Sequence, residues 1–521
     1  MPNSNGKMPL RLYNTRTHRV EPLTPLQPDH VRIYVCGLTP SAEGHLGHAR
    51  SFLFFDVLRR YLTHPRNGYR VTYVKNVTDI DDRSIATAQA EGTTYDAVIS
   101  RHYASFQASM RKLGVLEPDH EPYATAYIPQ IVEMIGELME LGYAYATQDG
   151  VYYRVAAFPR YGALSGKNVD ELLVGARIAE NEHKDDPLDF ALWKFAKPGE
   201  PHWDSPWGAG RPGWHIECSA MSRTLLGVPF DIHGGGYDLI FPHHENEIAQ
   251  SEPLMTAPPM AEMWVHGGLL NFDGRKMSKS LGNFEPLSAL LQRHDPLAIR
   301  LLFLQTGYRK PMNFTEESIA GARAALEKSV SAYRQLRGLE PATMGGRYPK
   351  QSLERARTLF FEALDDDMNT SGALGAAFEH VIGGVRGLIE SGVGSEAADF
   401  LADAWSIFGI APALDRQPSA DMLVRIGDSV LLVEVKQYVD ARWSPERQAE
   451  AHANLQAKIG DRLGANGQPL EALIPAAIEK RLEARKNKDF AFGDQLRDAL
   501  AAEGITLRDS KDETTWTLAG G

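Results

Sequence analysis

The sequence predicts an α/β fold built on a parallel, doubly wound sheet, and three neighbouring stretches lead to this prediction. Val31–Val35 is a short alternating run rich in β-branched and aromatic residues, which is typical of a buried strand. After a turn, Ser51–Tyr61 has the apolar spacing of a helix, and a second apolar strand follows at Tyr69–Lys75. Strand, helix and strand at this spacing indicate parallel strands joined by a crossover helix.

The turn after the first predicted strand carries His45, Gly47 and His48 at the N-terminus of the predicted helix. Unpaired backbone N–H groups and the helix dipole favour a phosphate at such a position. The two imidazoles can donate to phosphate oxygens, and the glycine lets a flat base approach the backbone. An ordinary capped turn has the same composition, so this motif alone does not identify a nucleotide site.

The acid-rich loop Asn76–Arg83 follows the second predicted strand. Ligands of doubly wound sheets bind at the carboxyl ends of the strands. Because Cys36, His45 and Asp79 all fall at such ends, we expect them to lie at one edge of the sheet.

Changes of pattern along the chain predict seven regions. A hairpin at 143–154, with Asp149–Gly150 at its turn, lies in a Pro-, Gly- and Trp-rich insertion, and the sheet resumes with Gly213–Met221 and Phe230–Phe241. The region 422–435 reads as two strands joined at Gly427–Asp428. The predicted regions are the first half of the sheet domain (1–119), the insertion (120–207), the second half of the sheet domain (208–268), a lysine-bearing loop and the segment after it (269–314), a helical bundle (315–410), an unassigned insert (411–468) and a C-terminal region (469–521).

The composition excludes several classes of protein. The 521 residues are too many for one core, and a hydrophobic content of 43% is ordinary for a globular protein. A net charge of −12 argues against a protein that coats nucleic acid non-specifically, although a local basic face could still bind a specific partner. We expect a cytoplasmic protein without a membrane partner, since the sequence has no signal peptide or long apolar run and only two cysteines.

The cysteines, Cys36 and Cys218, fall near predicted strand ends together with His243 and Glu247. The last two are four residues apart at the start of a predicted helix and therefore point to one side. Two thiolates, an imidazole and a carboxylate can bind zinc, and an open position on that zinc could take an incoming thiolate. Buried unreactive cysteines and a capped surface helix are the alternatives.

Two further motifs concern phosphates. His233–Gly236 could form the oxyanion hole of a hydrolase, but the chain has no Gly-x-Ser-x-Gly, so a glycine-rich wall for a nucleotide is the better interpretation. Lys276 and Lys279 lie in the Lys-Met-Ser-Lys-Ser loop, which by itself could be a solvated loop. Combined with the paired histidines, these lysines suit a clamp on a triphosphate.

Taken together, these motifs resemble those of the cysteinyl-tRNA synthetases, class I enzymes with a Rossmann-type catalytic domain. The resemblance covers about Leu10–Phe408 and Ile474–Trp516, and the joint occurrence of its motifs in order is highly specific. The motifs are Tyr34–Gly37, His45–His48, Asn76–Asp82, Gly213–Met221, Phe241–Glu247 and Lys276–Ser280. In the terms of this family, 120–207 would be a connective insertion, 269–314 the lysine loop with a stem-contact segment, and 469–521 the anticodon-binding region.

The resemblance implies ligation of L-cysteine to tRNA(Cys) by a monomer that uses ATP with Mg²⁺ and forms a cysteinyl-adenylate. It implies one zinc ion per chain, which would be held by Cys36, Cys218, His243 and Glu247 and would bind the substrate thiolate. Because that contact discriminates so strongly against serine, we expect no editing domain. The residues implied for ATP are Gly37, His45, Gly47, His48, Lys276 and Lys279, with both histidines and both lysines catalytic, and those implied for cysteine are Gly37, Thr78, Trp214 and His233.

In the C-terminal region, the family's anticodon contacts correspond to Arg485, Phe490, Asp494, Arg497 and Asp509. Phe490 stands where the family commonly has Trp, so stacking on a base should survive while the indole N–H is lost. A second departure is Leu38, where the family usually has Pro.

Two alternative functions remain. Cys36–Gly44 resembles a related ligase that joins cysteine to a glucosaminyl-inositol amine in mycothiol synthesis, although that ligase resembles a version without the C-terminal helices. A non-catalytic RNA-binding paralogue is disfavoured because no adenylation residue is missing. In the insert, Asp428 and Glu434–Lys436 resemble a nuclease metal motif only faintly.

Overall fold

The computed structural model describes residues 9–167, 183–272, 285–339, 342 and 351–415, and the backbone of five short strands at 275–276, 422–426, 429–433, 505–509 and 514–518. The chain divides into two units, 1–414 and 415–521. Among the described residues, no helix has both the length and the apolar character needed to cross a membrane.

The first unit alternates strands and helices and then becomes helical. Its strands are β1 (Arg11–Asn14), β2 (Arg19–Pro22), β3 (His30–Leu38), β4 (Arg70–Val77), β5 (Ala144–Ala146), β6 (Gly150–Tyr153), β7 (Phe190–Phe195), β8 (Gly210–Pro212), β9 (Phe230–Gly236), β10 (Ala261–Gly267), β11 (Leu270–Phe272), β12 (Arg275–Lys276) and β13 (Met312–Phe314). Its helices are α1 (Leu46–Thr63), α2 (Asp82–Glu91), α3 (Tyr95–Lys112), α4 (Ile128–Glu140), α5 (Trp214–Leu226), α6 (Glu245–Ser251), α7 (Leu287–Arg293), α8 (Pro296–Leu304), α9 (Glu316–Leu336), α10 (Gln351–Asp365), α11 (Thr370–His380), α12 (Val385–Glu390) and α13 (Gly394–Phe408).

A four-stranded parallel sheet in the order β10–β9–β3–β4 forms the centre of the first unit. The chain leaves β3 through α1 to reach β4 on one side, whereas β9 and β10 lie on the other side of β3. The strand order therefore reverses between β3 and β9, which is where doubly wound sheets open a crevice for ligands. The predicted α/β fold class is confirmed.

The predicted strands at 31–35 and 69–75 are present as β3 and β4, and α1 begins earlier than predicted, at Leu46. The interpretation of Gly213–Met221 as resumed sheet is wrong, because Trp214–Leu226 is a helix with Gly213 as its N-cap. This stretch is buried on almost all sides, from Ile216 to Ser222, so it lacks the one-sided apolar spacing that distinguishes a helix in a sequence.

The inserted segment contains its own antiparallel sheet in the order β5–β6–β7–β8. The predicted hairpin is present, but its turn lies before Gly150, which is already the first residue of β6. A Cβ at Gly150 would come within 2.2 Å of the Trp193 carbonyl oxygen on β7, so glycine is required here by the close approach of strands.

The predicted helical region is present as α9–α13. Acidic residues at the end of α10 and just after it join this region to the rest of the first unit. Asp365 accepts a hydrogen bond from the Tyr61 hydroxyl of α1 at 2.5 Å. Asp367 accepts from the Tyr13 backbone N–H and the Tyr308 hydroxyl, both at 2.8 Å, and from the Arg309 guanidinium at 2.7 Å. Asp367 has a φ of +58°, a left-handed conformation that aspartate tolerates better than most residues.

In the second unit, β14 (Met422–Ile426) and β15 (Ser429–Val433) form an antiparallel pair, which confirms the two predicted strands. A second antiparallel pair consists of β16 (Ile505–Asp509) and β17 (Thr514–Leu518). The helix predicted for 470–500 lies outside the described residues, as do Asp428 and Glu434–Lys436.

A buried ion pair between Asp56 and Arg300 ties helix α1 to α8. Arg300 also donates to the backbone oxygens of Phe408, at 2.5 Å, and Leu113, at 3.0 Å. Asp56 accepts from Arg60 at 2.9 Å and from the backbone N–H of Leu116 at 2.8 Å. Burial by itself would raise the pKa of Asp56, but Arg300 and Arg60 lower it, so the carboxylate remains charged.

We expect Asp56→Ala to lower the free energy of unfolding by about 3–5 kcal/mol, because it leaves the Arg300 guanidinium buried without its counter-ion. Glu91→Ala is the matched control, since it breaks an exposed pair with Arg101 and should cost less than about 1 kcal/mol. Urea denaturation of both variants measures the difference, and equal losses would contradict the anchoring role of the buried pair.

Candidate nucleotide and metal site

His45 and His48 form a reciprocal cap on the first turn of α1. The Gly47 backbone N–H donates to His45 Nδ1 at 3.0 Å, and the His45 backbone N–H donates to His48 Nδ1 at 3.3 Å. The two rings are stacked with their centroids 3.8 Å apart. Because Nδ1 of each ring is an acceptor, each neutral imidazole carries its proton on Nε2 and can donate from that atom.

Both histidines are kept neutral. Burial lowers the pKa of His45, and burial together with the neighbouring His45 lowers the pKa of His48 to about 3. At neutral pH the two rings are therefore uncharged hydrogen-bond donors. The partial positive charge at this turn comes from the N-terminal end of the α1 dipole.

Arg50, one residue past this turn, binds the backbone just before β11 and just before β13. It is buried, and its guanidinium donates to four backbone oxygens, those of Gly268 (3.1 Å), Leu269 (2.8 Å), Gly307 (3.3 Å) and Lys310 (2.6 Å). Burial lowers the pKa of Arg50 to about 10, so it is still a cation at neutral pH. The backbone that leads into the lysine-bearing loop is thus fixed to the histidine turn.

The structure brings Cys36, Cys218, His243 and Glu247 together, with one ligand atom of each within 4.8 Å of the others. Cys36 Sγ lies 3.7 Å from Cys218 Sγ and 3.3 Å from Glu247 Oε1. His243 Nε2 lies 3.2 Å from the same Glu247 oxygen. All four side chains are buried, and they come from β3, α5 and the stretch around the start of α6.

Other histidines orient these donors, and sequence reasoning did not select three of them, His215, His244 and His266. His215 Nδ1 contacts His243 Nδ1 at 2.9 Å, which directs His243 Nε2 towards Glu247. His244 Nε2 lies 3.3 Å from Cys36 Sγ, and its Nδ1 lies 2.7 Å from His266 Nε2. The only signal in the sequence was that His215 and His244 lie within the motifs Gly213–Met221 and Phe241–Glu247, and no signal singled out His266.

His233, expected in the cysteine pocket, belongs to this cluster as well. Its Nε2 contacts Glu247 Oε2 at 2.9 Å, and its ring is stacked on Trp264 with centroids 4.4 Å apart. Cys36, His233, His244 and Glu247 make a second set of donors that overlaps the first. The set with both thiols is the softer of the two and suits zinc better.

Neighbouring groups set the protonation of the donors in this cluster. Burial by itself would lower the pKa of His243, but Cys218 and Glu247 raise it to about 10. Burial would raise the pKa of Glu247, yet His233 and His243 lower it to about 2. Burial and the neighbouring Cys218 raise the pKa of Cys36. Protonated His243 therefore supplies a positive charge beside the Glu247 carboxylate. A divalent cation bound among these donors would supply positive charge at the same place.

The remaining residues expected in the cysteine pocket lie around the buried cluster of donors. A Cβ at Gly37 would lie 1.5 Å from the backbone oxygen of Asn76, so only glycine fits where β3 passes the end of β4. The Asn76 side chain accepts from the Gly37 N–H at 2.8 Å and donates to the buried Thr78 hydroxyl at 3.3 Å. Trp214 is 40% exposed, with its ring 4.4 Å from that of His243.

The other predicted site residues either have only their backbone described or lie outside the described residues. Lys276 is in β12, where it pairs with Asn271 of β11, and its side chain lies outside the described residues, as does Lys279. Asp509 is in β16, while the remaining anticodon candidates, Arg485, Phe490, Asp494 and Arg497, lie outside the described residues.

Solved structures of two class I synthetases share the fold. A Mycobacterium tuberculosis methionyl-tRNA synthetase in complex with methionyl-adenylate has a TM-score of 0.54 and 16% identity, and the match covers 74% of this chain and 88% of that one. The ternary LeuRS–tRNA–LeuAMS complex from Agrobacterium radiobacter K84 has a TM-score of 0.53 and 12% identity, and the match covers 75% of this chain and 85% of that one.

Family and sequence comparisons cover both ends of the chain. Residues 22–324 match the family described as the class I (C) tRNA synthetase catalytic domain, and residues 469–516 match the cysteinyl-tRNA ligase anticodon-binding domain. A cysteine–tRNA ligase of Pseudomonas aeruginosa is 44% identical over 98% of this chain and 100% of its own length. One from Desulfotalea psychrophila is 42% identical over 98% of this chain and 99% of its own length. This chain therefore belongs to the cysteine–tRNA ligase family of class I tRNA synthetases.

Proposed function

We propose that the protein ligates L-cysteine to tRNA(Cys) in two steps at the edge of the central sheet. One observation supports this proposal most strongly: Cys36, Cys218, His243 and Glu247 lie together in a buried cluster. The cluster is at the end of β3, the strand that leads into the His45–His48 turn. A selective site for a sulfur-bearing substrate and a site for phosphates then lie side by side.

In the first step, a carboxylate oxygen of cysteine attacks the α-phosphorus of ATP, and the bond to the bridging oxygen breaks. Cysteinyl-adenylate forms, and pyrophosphate leaves with the electron pair. His45 and His48 donate from Nε2 to phosphate oxygens, and Lys276 and Lys279 neutralise the charge on the leaving pyrophosphate, with Mg²⁺ accompanying ATP. Catalysis in this step is positioning and electrostatic stabilisation.

In the second step, a hydroxyl oxygen of the tRNA's terminal ribose attacks the carbonyl carbon of the adenylate. The carbonyl–phosphate oxygen bond breaks, AMP leaves with the electron pair, and the hydroxyl proton passes to solvent. We assign Arg485, Phe490, Asp494, Arg497 and Asp509 to anticodon contacts, because stacking and polar groups read single-stranded bases in this way.

The donor set of the buried cluster fits a zinc ion held by Cys36, Cys218, His243 and Glu247, with His215 and His233 orienting two of these side chains. Bound there, zinc would supply a soft Lewis acid for the substrate's sulfur, a contact that the hydroxyl of serine cannot match at neutral pH. Gly37, Thr78 and Trp214 surround the same cluster and would enclose the rest of the amino acid.

The direct test supplies labelled cysteine and ATP together with unfractionated tRNA and, in a parallel reaction, with a glucosaminyl-inositol amine. Label on tRNA with cysteine and not with serine is the expected result. Label that accumulates on a glucosaminyl-inositol amine instead would favour the amine ligase. Absence of label on either acceptor, with pyrophosphate exchange intact, would contradict the proposal of a charging enzyme.

We expect His48→Asn to lower the rate of adenylate formation about 100-fold without lowering the melting temperature. The asparagine side-chain oxygen can replace Nδ1 as acceptor for the His45 N–H, whereas the Nε2 donor is lost. His48→Ala is the comparison variant, because it removes the donor and the cap together and should also cost about 1 kcal/mol of stability. Cysteine-dependent pyrophosphate exchange and thermal unfolding measure the two effects, and unchanged exchange in His48→Asn would refute the donor role.

We expect zinc binding to release protons, so that its apparent affinity rises with pH. The raised pKa values of His243, about 10, and of Cys36 mean that both carry protons at pH 7 without metal, and both must lose them to act as ligands. Calorimetric titration of metal-free protein with Zn²⁺, in buffers of different ionisation enthalpy, counts these protons.

Cys218→Ser serves as the matched variant for the zinc assignment. It should weaken zinc binding and raise the KM for cysteine while the KM for ATP changes little. Unchanged cysteine activation in protein that has lost its zinc would disprove a role for the metal in binding the substrate.

A further inference from the structure

The turn before α1 contains a carboxylate, Glu43, that contacts two other helices of the first unit. Glu43 lies two residues before His45 in the chain. The Ser105 hydroxyl of α3 donates to Glu43 Oε2 at 2.8 Å, and His102 Nδ1 of the same helix lies 3.3 Å from Oε1. The Ser288 hydroxyl of α7 lies 3.5 Å from Oε2. One side chain therefore joins the histidine turn to helices that are distant in the sequence.

The contact between Glu43 and His102 does not depend on a charged imidazole. The Arg101 guanidinium donates to His102 Nε2 at 3.3 Å, so that nitrogen is the acceptor and the proton of a neutral ring is on Nδ1. From Nδ1 the ring donates to Glu43. The side chain of His102 is 12% exposed and that of Glu43 is 31% exposed, so solvent screens this contact less than it screens a fully exposed pair.

The backbone beside Glu43 contacts the same two helices. The carbonyl oxygen of Gly44 accepts from the backbone N–H of Leu287, the first residue of α7, at 2.9 Å. A Cβ at Gly44 would lie 2.5 Å from the Phe106 ring of α3, and the rings of Phe106 and His48 pack edge to face with centroids 6.3 Å apart. Removal of the Glu43 carboxylate would therefore loosen the turn without detaching it from α3 and α7.

We infer that Glu43 is a positioning residue for adenylate formation, because its carboxylate fixes the turn that places His45 and His48. The inference rests on the proposed function, in which these two histidines donate to phosphate oxygens. Such donors accelerate a reaction only in the geometry of the transition state, and a misplacement of about 1 Å can cost about 100-fold in rate. Among the described residues, the hydrogen-bond partners of Glu43 lie on α3 and α7, and none belongs to the buried donor cluster.

The test uses the full chain and measures cysteine-dependent ATP–pyrophosphate exchange. Glu43→Leu removes the acceptor oxygens and should lower kcat about 10-fold, while the KM for cysteine and the zinc content stay unchanged. Its melting temperature should fall by less than about 4 °C, because the lost contacts are partly exposed.

Asp403→Leu is the matched control for this variant. Asp403 contacts His64, the residue that directly follows α1, at 3.0 Å. The control therefore breaks a carboxylate–histidine contact at the other end of the same helix, and it should leave kcat within about twofold of the parent protein.

Two further variants test whether Glu43 acts through α3. Ser105→Ala removes the shortest contact of the carboxylate and should lower kcat about threefold, the effect of one hydrogen bond. Combined with Glu43→Leu it should cause no further loss, because both changes break the same contact. Glu43→Gln keeps an oxygen that can accept from Ser105, so its kcat should fall between those of Glu43→Leu and the parent protein.

Three outcomes would overturn the inference. Exchange at the parental rate in Glu43→Leu would leave the carboxylate without a role in positioning. Exchange faster than parental in Glu43→Gln would show that the charge of Glu43 opposes the phosphates. Equal losses in Glu43→Leu and Asp403→Leu would assign the effect to a general loosening of α1. Absence of exchange in the parent protein would overturn the proposed function itself, a result distinguishable from the others because it needs no variant.

Discussion

The placement of helix α1 is the constraint on which the site in the first unit depends. Its first turn carries His45 and His48. Two guanidinium groups hold the helix beyond that turn, because Arg50 donates hydrogen bonds to neighbouring backbone oxygens and Asp56 forms an ion pair with Arg300. Both guanidinium groups are buried, so any rotation or sliding of α1 would leave a charge without its partners. The helix terminus is held in one position before any phosphate reaches it, which is the preorganisation that electrostatic catalysis requires.

The order of strands explains why two different chemistries meet at this helix. Cys36 stands near the end of β3, and the same strand leads directly into the turn with His45. The reversal of strand order puts β9 next to β3, so His233 and the segment with His243 and Glu247 come to the same edge. Recognition of sulfur and handling of phosphate are thus adjacent because one strand and its following helix serve both.

Much of this arrangement could be predicted from the sequence, for local reasons. The alternation in Val31–Val35, the four-residue spacing of His243 and Glu247 and the turn before α1 each have a signature within a few residues. The helical state of Trp214–Leu226 could not be predicted, because a helix buried on almost all sides loses its periodic signal. The network of His215, His244 and His266 was missed for another reason: its contacts join distant elements, and no spacing in the chain encodes them.

The four partners of Arg50 are all backbone oxygens, and this has a consequence for how the chain can diverge. Every residue type offers a carbonyl, so exchanges of side chain in the two loops that Arg50 reaches leave its hydrogen bonds available. The link between the histidine turn and the strands beside it therefore depends on the side chain of one residue, Arg50. Side chains in these loops can therefore change as long as the arginine and the loop lengths are kept. Substitutions in the loops require no compensating substitution at Arg50.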